Sequence, residues 1–222
     1  MSLTPVITLV EETGSTNADL AAAIRAGEGW VEGHWLVARR QIAGRGRQGR
    51  EWFDGAGNFM GSTVVMLGEG GPPPASLSFV AALAVRDAVA DVLGEGASLT
   101  LKWPNDVLLE GGKLSGILLE MVRGAIVVGI GVNLARAPQL PERKTSAIAD
   151  ITAPPMLADF ANNLAAHFAR RVENWRRDGL GATLQSFLAA SIHTQDSAVT
   201  VHDTDGLQLS GTFAGLEESD GA

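Results

Sequence analysis

Between Arg39 and Trp52 the chain reads RRQIAGRGRQGREW, with five arginines (Arg39, Arg40, Arg45, Arg47 and Arg50) and no acid before Glu51. Gly44, Gly46 and Gly49 are spaced among the cations. Elsewhere the protein is acidic, since 25 carboxylates against 17 bases give a net charge of −8. Guanidinium forks match carboxylate and phosphate oxygens, and glycines let backbone amides approach the same anion. Crowding like charges is unfavourable unless an anion lies between them, so this stretch reads as an anion-binding loop, open or mobile when empty. A basic run is ordinarily a solvated surface, but the interleaved glycines and the apolar segments on both sides favour a site. GRGRQG also fits G-x-G-x-x-G, yet that fingerprint needs a helix to begin within its glycines. The residues that follow, REWFDGAGN, are turn formers, so a Rossmann-type site is excluded.

Three further constellations carry polar groups. In Lys102-Trp103-Pro104-Asn105-Asp106 a proline breaks an apolar strand and sets an amide beside a carboxylate. Such a sequence makes a good turn, and it also suits contact with a nucleotide or a metal-bound phosphate. Lys113 opens the next strand after Gly-Gly, and Gly116 inside that strand marks close approach by a ligand or another backbone. No glycine sits five before Gly112 and no helix follows, so Lys113 does not belong to a P-loop. The run Gly129-Ile130-Gly131-Val132-Asn133 repeats the device, with two glycines and one polar tip. Earlier, Ser15, Thr16 and Asn17 precede a helical stretch. They either cap it, with Asp19 completing a capping box on Thr16, or aim hydroxyls and amides at a polar ligand.

These groups need a scaffold, and hydrophobic periodicity supplies one. Short apolar or alternating runs predict strands over 6–10, 34–39, 58–67, 99–103 and 125–133, with a hairpin over 107–121 turning at Glu110 to Gly112. Apolar positions at helical spacing predict a helix over 75–93 and a longer one through Leu157, Phe160, Leu164, Phe168, Val172 and Trp175, ending near Gly179. A shorter helix follows over 182–190. From Ala198 the pattern changes to short strands and turns. The fold class is therefore α+β: a mostly antiparallel sheet covered by helices on one face, with a small C-terminal SH3-like β segment. Residues 1–190 form the larger unit and 191–222 the smaller, which stops at Asp220-Gly221-Ala222 where another hairpin strand is expected.

Composition narrows the possibilities. The 45% hydrophobic and 19% charged content suits an ordinary globular core. Absence of cysteine removes disulfides, thiolate metal sites and cysteine nucleophiles. Four histidines stand singly without ligand spacing, so no protein-held metal is expected. No apolar run approaches the roughly 20 residues of a membrane span, and the N-terminus lacks signal-peptide layout, which points to the cytoplasm. Net acidity disfavours a nucleic-acid binder.

With GSTN, QIAGRGRQGREW, GNFMGS, KWPNDVLLEGGKLSGILLE and GIGVN in this order, the chain resembles the biotin protein ligases across residues 6–190. The resemblance implies activation of biotin by ATP with Mg²⁺ to biotinyl-5′-AMP, then transfer to a lysine of a biotin carboxyl carrier protein. It assigns Ser15, Thr16, Asn17, Gln41, Gly44, Arg45, Gly46, Arg47 and Lys113 to biotin and its adenylate, with Gly116 leaving room for the ligand. Arg50, Trp52, Asn105, Asp106 and Asn133 fall on the nucleotide side, and Arg45, Arg47 and Lys113 carry the catalytic charge. The catalytic motifs start within the first twenty residues, leaving no room for the DNA-binding domain of bifunctional members. A monomer or weak homodimer without DNA or membrane contact is expected. The rival possibilities are a lipoate-type ligase and a non-catalytic biotinyl-AMP sensor.

Overall fold

The computed structural model describes residues 5–53, 55–202 and 208–217. Seven strands, β1 (Val6–Thr13), β2 (His34–Gln41), β3 (Phe59–Met66), β4 (Leu99–Lys102), β5 (Asp106–Leu109), β6 (Gly112–Val122) and β7 (Ala125–Val132), form one sheet. Its order is β1-β2-β3-β7-β6-β5-β4. Only β1 and β2 run parallel, because the helix α1 (Thr16–Ala26) crosses between them. The β5–β6 and β6–β7 connections are two-residue turns, Glu110-Gly111 and Arg123-Gly124, whose residues all have positive φ. Both are the tight turn that matches strand twist, so Gly112 already belongs to β6.

Registers divide the side chains cleanly between the two faces. On one, Trp35, Val37, Phe59, Val65, Val128 and Ile130 meet α2 (Leu77–Leu93) and α3 (Leu157–Ala189) in the main core. Trp35 packs edge-on to Phe168 at 5.4 Å, and Phe59 to Phe160 at 5.6 Å. Buried Trp175 donates its indole N–H to Ser76 Oγ at 2.8 Å, fixing α3 to the start of α2. Leu36, Val64, Val122, Ala125 and Val127 point the opposite way, onto Leu20 and Ala21 of α1. The expectation of helices on a single face is thus corrected: α1 covers the second face, because the 6–41 crossover carries its own small apolar patch. Gly179 (φ 80°, ψ −175°) breaks α3 where the sequence places a helix end.

Past α3 the chain seals the β4 edge, with Leu101 N donating to Ala190 O at 2.8 Å and Ile192 N to Leu101 O at 2.9 Å. It then forms a separate antiparallel pair, β8 (Ala198–His202) and β9 (Gln208–Thr212). The expectation attached to Asp220–Ala222 lies outside the described residues. Among the described residues no helix is long and apolar enough to cross a membrane.

Candidate active site

The face that α1 covers is covered only in part. Beyond the helix N-terminus, two rows of the sheet are left uncovered by α1: Ser62, Gly129 and Leu118, then Gly131, Gly116 and Asp106. Above them is a cavity of about 730 Å³. The start of α1, the arginine loop, the KWPND turn and the β8–β9 segment form its walls.

Its floor ends in an ordered polar relay. Ser15 is the N-cap of α1, its Oγ accepting from Ala18 N at 3.5 Å. The expected box of Thr16 with Asp19 does not form, since Thr16 is already helical and Asp19 accepts from Thr13 Oγ1. That leaves Thr16 to face the cavity. Its backbone N–H donates to Gln41 Oε1 at 2.7 Å, and its hydroxyl lies 2.7 Å from Ser62 Oγ. Ser62 donates to Asn17 Oδ1 at 2.6 Å, and Asn17 Nδ2 to Glu120 Oε2 at 2.8 Å. A carboxylate only accepts and each hydroxyl has one proton. Two steps are therefore directed, Ser62 O–H to Asn17 and Asn17 N–H to Glu120, while the one Thr16 proton is shared between Gln41 Oε1 at 3.0 Å and Ser62 Oγ. Ser15, Thr16, Asn17, Gln41 and Ser62 are all buried.

At the other end the side chains are charged. Residues 44–52 fold back as a hairpin closed by Trp52 N to Gly44 O at 3.0 Å and Gly46 N to Arg50 O at 2.7 Å. At its tip Gln48 (φ 57°) and Gly49 (φ 71°) are both left-handed. Arg45, Arg47 and Arg50 line the cavity, whereas Arg39 and Arg40 pair with Glu11 and Glu12 on an exposed edge. The neighbouring edge strand β1 supplies their acids, so three arginines converge, not five.

Arg47 Nη1 donates to Asn105 Oδ1 at 3.1 Å, and Asn105 Nδ2 to Ile117 O at 2.9 Å, so the asparagine braces the arginine. Half-buried Lys113 is ion-paired with Asp106. Burial holds the Lys113 ammonium below the ordinary lysine range, Asp106 opposes that, and Arg143 and Arg50 add to it. Six cations (Arg45, Arg47, Arg50, Lys102, Lys113, Arg143) face two carboxylates (Glu51, Asp106) around the cavity. His193 also lines it, kept below the usual histidine range by burial and then by Lys102.

The strand glycines also make room for the protein's own side chains. A Cβ on Gly131 would collide with the Trp52 indole, and one on Gly116 would lie 2.9 Å from Trp52 Cζ3. A Cβ on Gly129 would strike Asn17. The glycines clear space for the protein's own Trp52 and Asn17, which in turn shape the cavity. Trp52 Nε1 is buried and has no partner among the described residues.

Asn133, placed by sequence on the nucleotide side, does not line the cavity. It is 3% exposed and committed to Ser146 O at 3.2 Å, Lys113 O at 3.4 Å and Asn58. The β7 end turns it into the core, where it holds loop backbone. Gly44 likewise stands at the hairpin base, where a Cβ would lie 3.0 Å from Trp52 O, and not on the cavity wall. Ser62, Glu120, Lys102, Arg143 and His193 escaped sequence reasoning. Ser62 and Glu120 looked like ordinary strand positions, although a serine inside an apolar strand is a usable signal.

Over residues 13–135 the sequence matches the biotin/lipoate A/B protein ligase family, and the chain belongs to it. Among its relatives is the biotin–[acetyl-CoA-carboxylase] ligase of Paracoccus denitrificans, 37% identical over 227 aligned residues that cover 95% of this chain and 90% of the relative. The fold matches biotin protein ligase from Aquifex aeolicus in complex with biotin and ATP (TM-score 0.81, 23% identity, 96% of this chain and 88% of that one). A further match is biotin protein ligase from Leishmania major in complex with biotinyl-5-AMP, with TM-score 0.73, 25% identity and coverage of 95% and 100%.

Proposed function

We propose that this protein is a biotin–[acetyl-CoA-carboxylase] ligase, joining biotin to AMP at the expense of ATP and passing it to a carrier lysine. One observation carries the assignment: a single cavity has a neutral hydrogen-bonding end and a cationic end. Biotin has the same polarity, with a ureido group that both donates and accepts and, at the far end of an alkyl chain, a carboxylate. The relay of Gln41, Thr16, Ser62 and Asn17 suits the ureido group. A lipoate dithiolane makes no strong hydrogen bonds and would gain nothing from those polar groups.

Chemistry follows at the charged end. A carboxylate oxygen of biotin attacks the α-phosphorus of ATP, the bond to the bridging oxygen breaks, and pyrophosphate leaves with the electron pair. Two anions must approach while charge builds, and Arg45, Arg47, Arg50 and Lys113 offset that repulsion. Asp106 holds Lys113 in place without neutralising the cavity. The unmatched Trp52 Nε1 is a donor available to the adenylate. In the second step the carrier lysine nitrogen attacks the acyl carbon, AMP departs, and the nitrogen loses a proton as the amide forms. No protein nucleophile is needed, in keeping with a chain that has no cysteine.

The described residues contain no cluster of three or more acids or histidines to hold a metal. Mg²⁺ would enter with ATP, held mainly by the nucleotide phosphates. A cytoplasmic location fits an ATP-dependent reaction of this kind. Biotin-dependent ATP–pyrophosphate exchange, followed by transfer of labelled biotin to a carrier domain, tests the assignment. Exchange driven by lipoate and not biotin makes this a lipoate-type ligase. Tight biotin binding without exchange makes it a sensor.

A further inference from the structure

We propose that Arg143 is a phosphate-binding residue that receives the departing pyrophosphate. This inference rests on the ligase assignment. Arg143 lies outside the stretch that matches the family, on the loop after β7. Three observations place it. Its side chain lines the cavity and is exposed at the rim. Its loop is bonded to the backbone of Lys113 in both directions, with Lys113 N donating to Lys144 O at 2.9 Å and Ser146 N to Lys113 O at 3.0 Å. Finally, its guanidinium has no acid partner among the described residues, whereas Arg39, Arg40, Arg171 and Arg176 each have one.

Geometry assigns the task. Lys113 is half-buried and tied to Asp106 deep in the site, where carboxylate and α-phosphate must meet. Arg143 is coupled to Lys113 but stands on the solvent side. Its charge reaches the lysine, adding to the burial that depresses the ammonium while Asp106 opposes both. A leaving group moving out from the α-phosphorus passes this guanidinium before it reaches water. Planar forks suit such phosphate oxygens.

The test uses the full chain. Arg143→Ala should raise the KM for MgATP in biotin-dependent exchange about tenfold, the loss expected for one charge-assisted contact. The KM for biotin should stay within about twofold, since the neutral end of the cavity is untouched. Arg143→Lys should recover part of the loss, because the charge returns without the fork. Calorimetry with inorganic pyrophosphate alone should show the same weakening without turnover. Wild-type exchange and pyrophosphate affinity in Arg143→Ala would overturn the assignment. So would normal exchange with impaired transfer, which would make Arg143 a carrier contact. If wild-type protein binds pyrophosphate through Arg143 yet shows no exchange, the ligase assignment fails while the phosphate site stands.

Discussion

Asn17 donates its side-chain amide to Glu120 Oε2 at 2.8 Å, joining the first turn of α1 to the C-terminal part of β6. The bond fixes which way the amide faces, and so which partner Ser62 finds.

Removing that anchor should change substrate binding more than turnover. Glu120→Ala leaves Asn17 free to rotate, and hydrogen bonds to charged groups contribute about 1.5–3 kcal/mol. An increase of about 10-fold or more in the KM for biotin is expected, with kcat changed less than about threefold. Glu120→Gln keeps an accepting oxygen and should stay close to wild type. Steady-state exchange kinetics decide the matter, and equal damage in both variants would show that the charge acts in some other way.

Lys113 should give the reaction its alkaline limit. Burial lowers its pKa from 10.5, so the unfolded chain holds the proton more tightly. The lysine's contribution to stability therefore rises with pH across the window from the lowered pKa up to 10.5. Adenylate formation needs the charged form and should fall as pH passes the lowered pKa. Asp106→Asn removes the influence that raises it and should move this limb to lower pH, while Arg143→Ala should move it up. The pH profiles of kcat/KM measure both shifts, and coincident profiles would remove Lys113 from the titration.

Arginines in the same run should separate sharply in their effects. Arg39→Ala with Arg40→Ala breaks only exposed pairs, each contributing about 0–1 kcal/mol, and should leave exchange unaltered. Arg47→Ala takes a braced charge from the cavity and should slow exchange about 10²–10³-fold, as loss of one preorganised donor does. Thermal denaturation should show all three chains folded.

Gly131→Ala should open the loop. The added methyl meets the Trp52 indole, so the hairpin over 44–52 loses its seat on β7. Faster tryptic cleavage at Arg45, Arg47 or Arg50 is expected, with ligand affinity reduced and the melting temperature changed by only a few degrees. Unchanged cleavage would mean that the hairpin stands without Trp52.

Strand and helix positions were legible because they follow from local pattern. Alternation in 34–41, apolar spacing in 77–93 and the glycine at 179 each carry their own signal within a few residues. Much of the site was legible for a related reason. Arg45, Arg47, Lys113, Asn105 and Asp106 are polar groups set among glycines, a proline and apolar runs, where nothing structural demands them.

What the one-dimensional text decided was the chemistry available: many cations in an acidic chain, no thiol, and glycines in buried strands. Which groups meet was settled only by the fold. Pairing with the edge strand β1 gave Arg39 and Arg40 to Glu11 and Glu12, and Asn133 was turned into the core at the end of β7. Register set Ser62 opposite Gly129, so that Asn17 could reach Glu120 across 103 positions of sequence. Contacts of that range depend on how strands pair and which face they present, and no local window of residues contains that information.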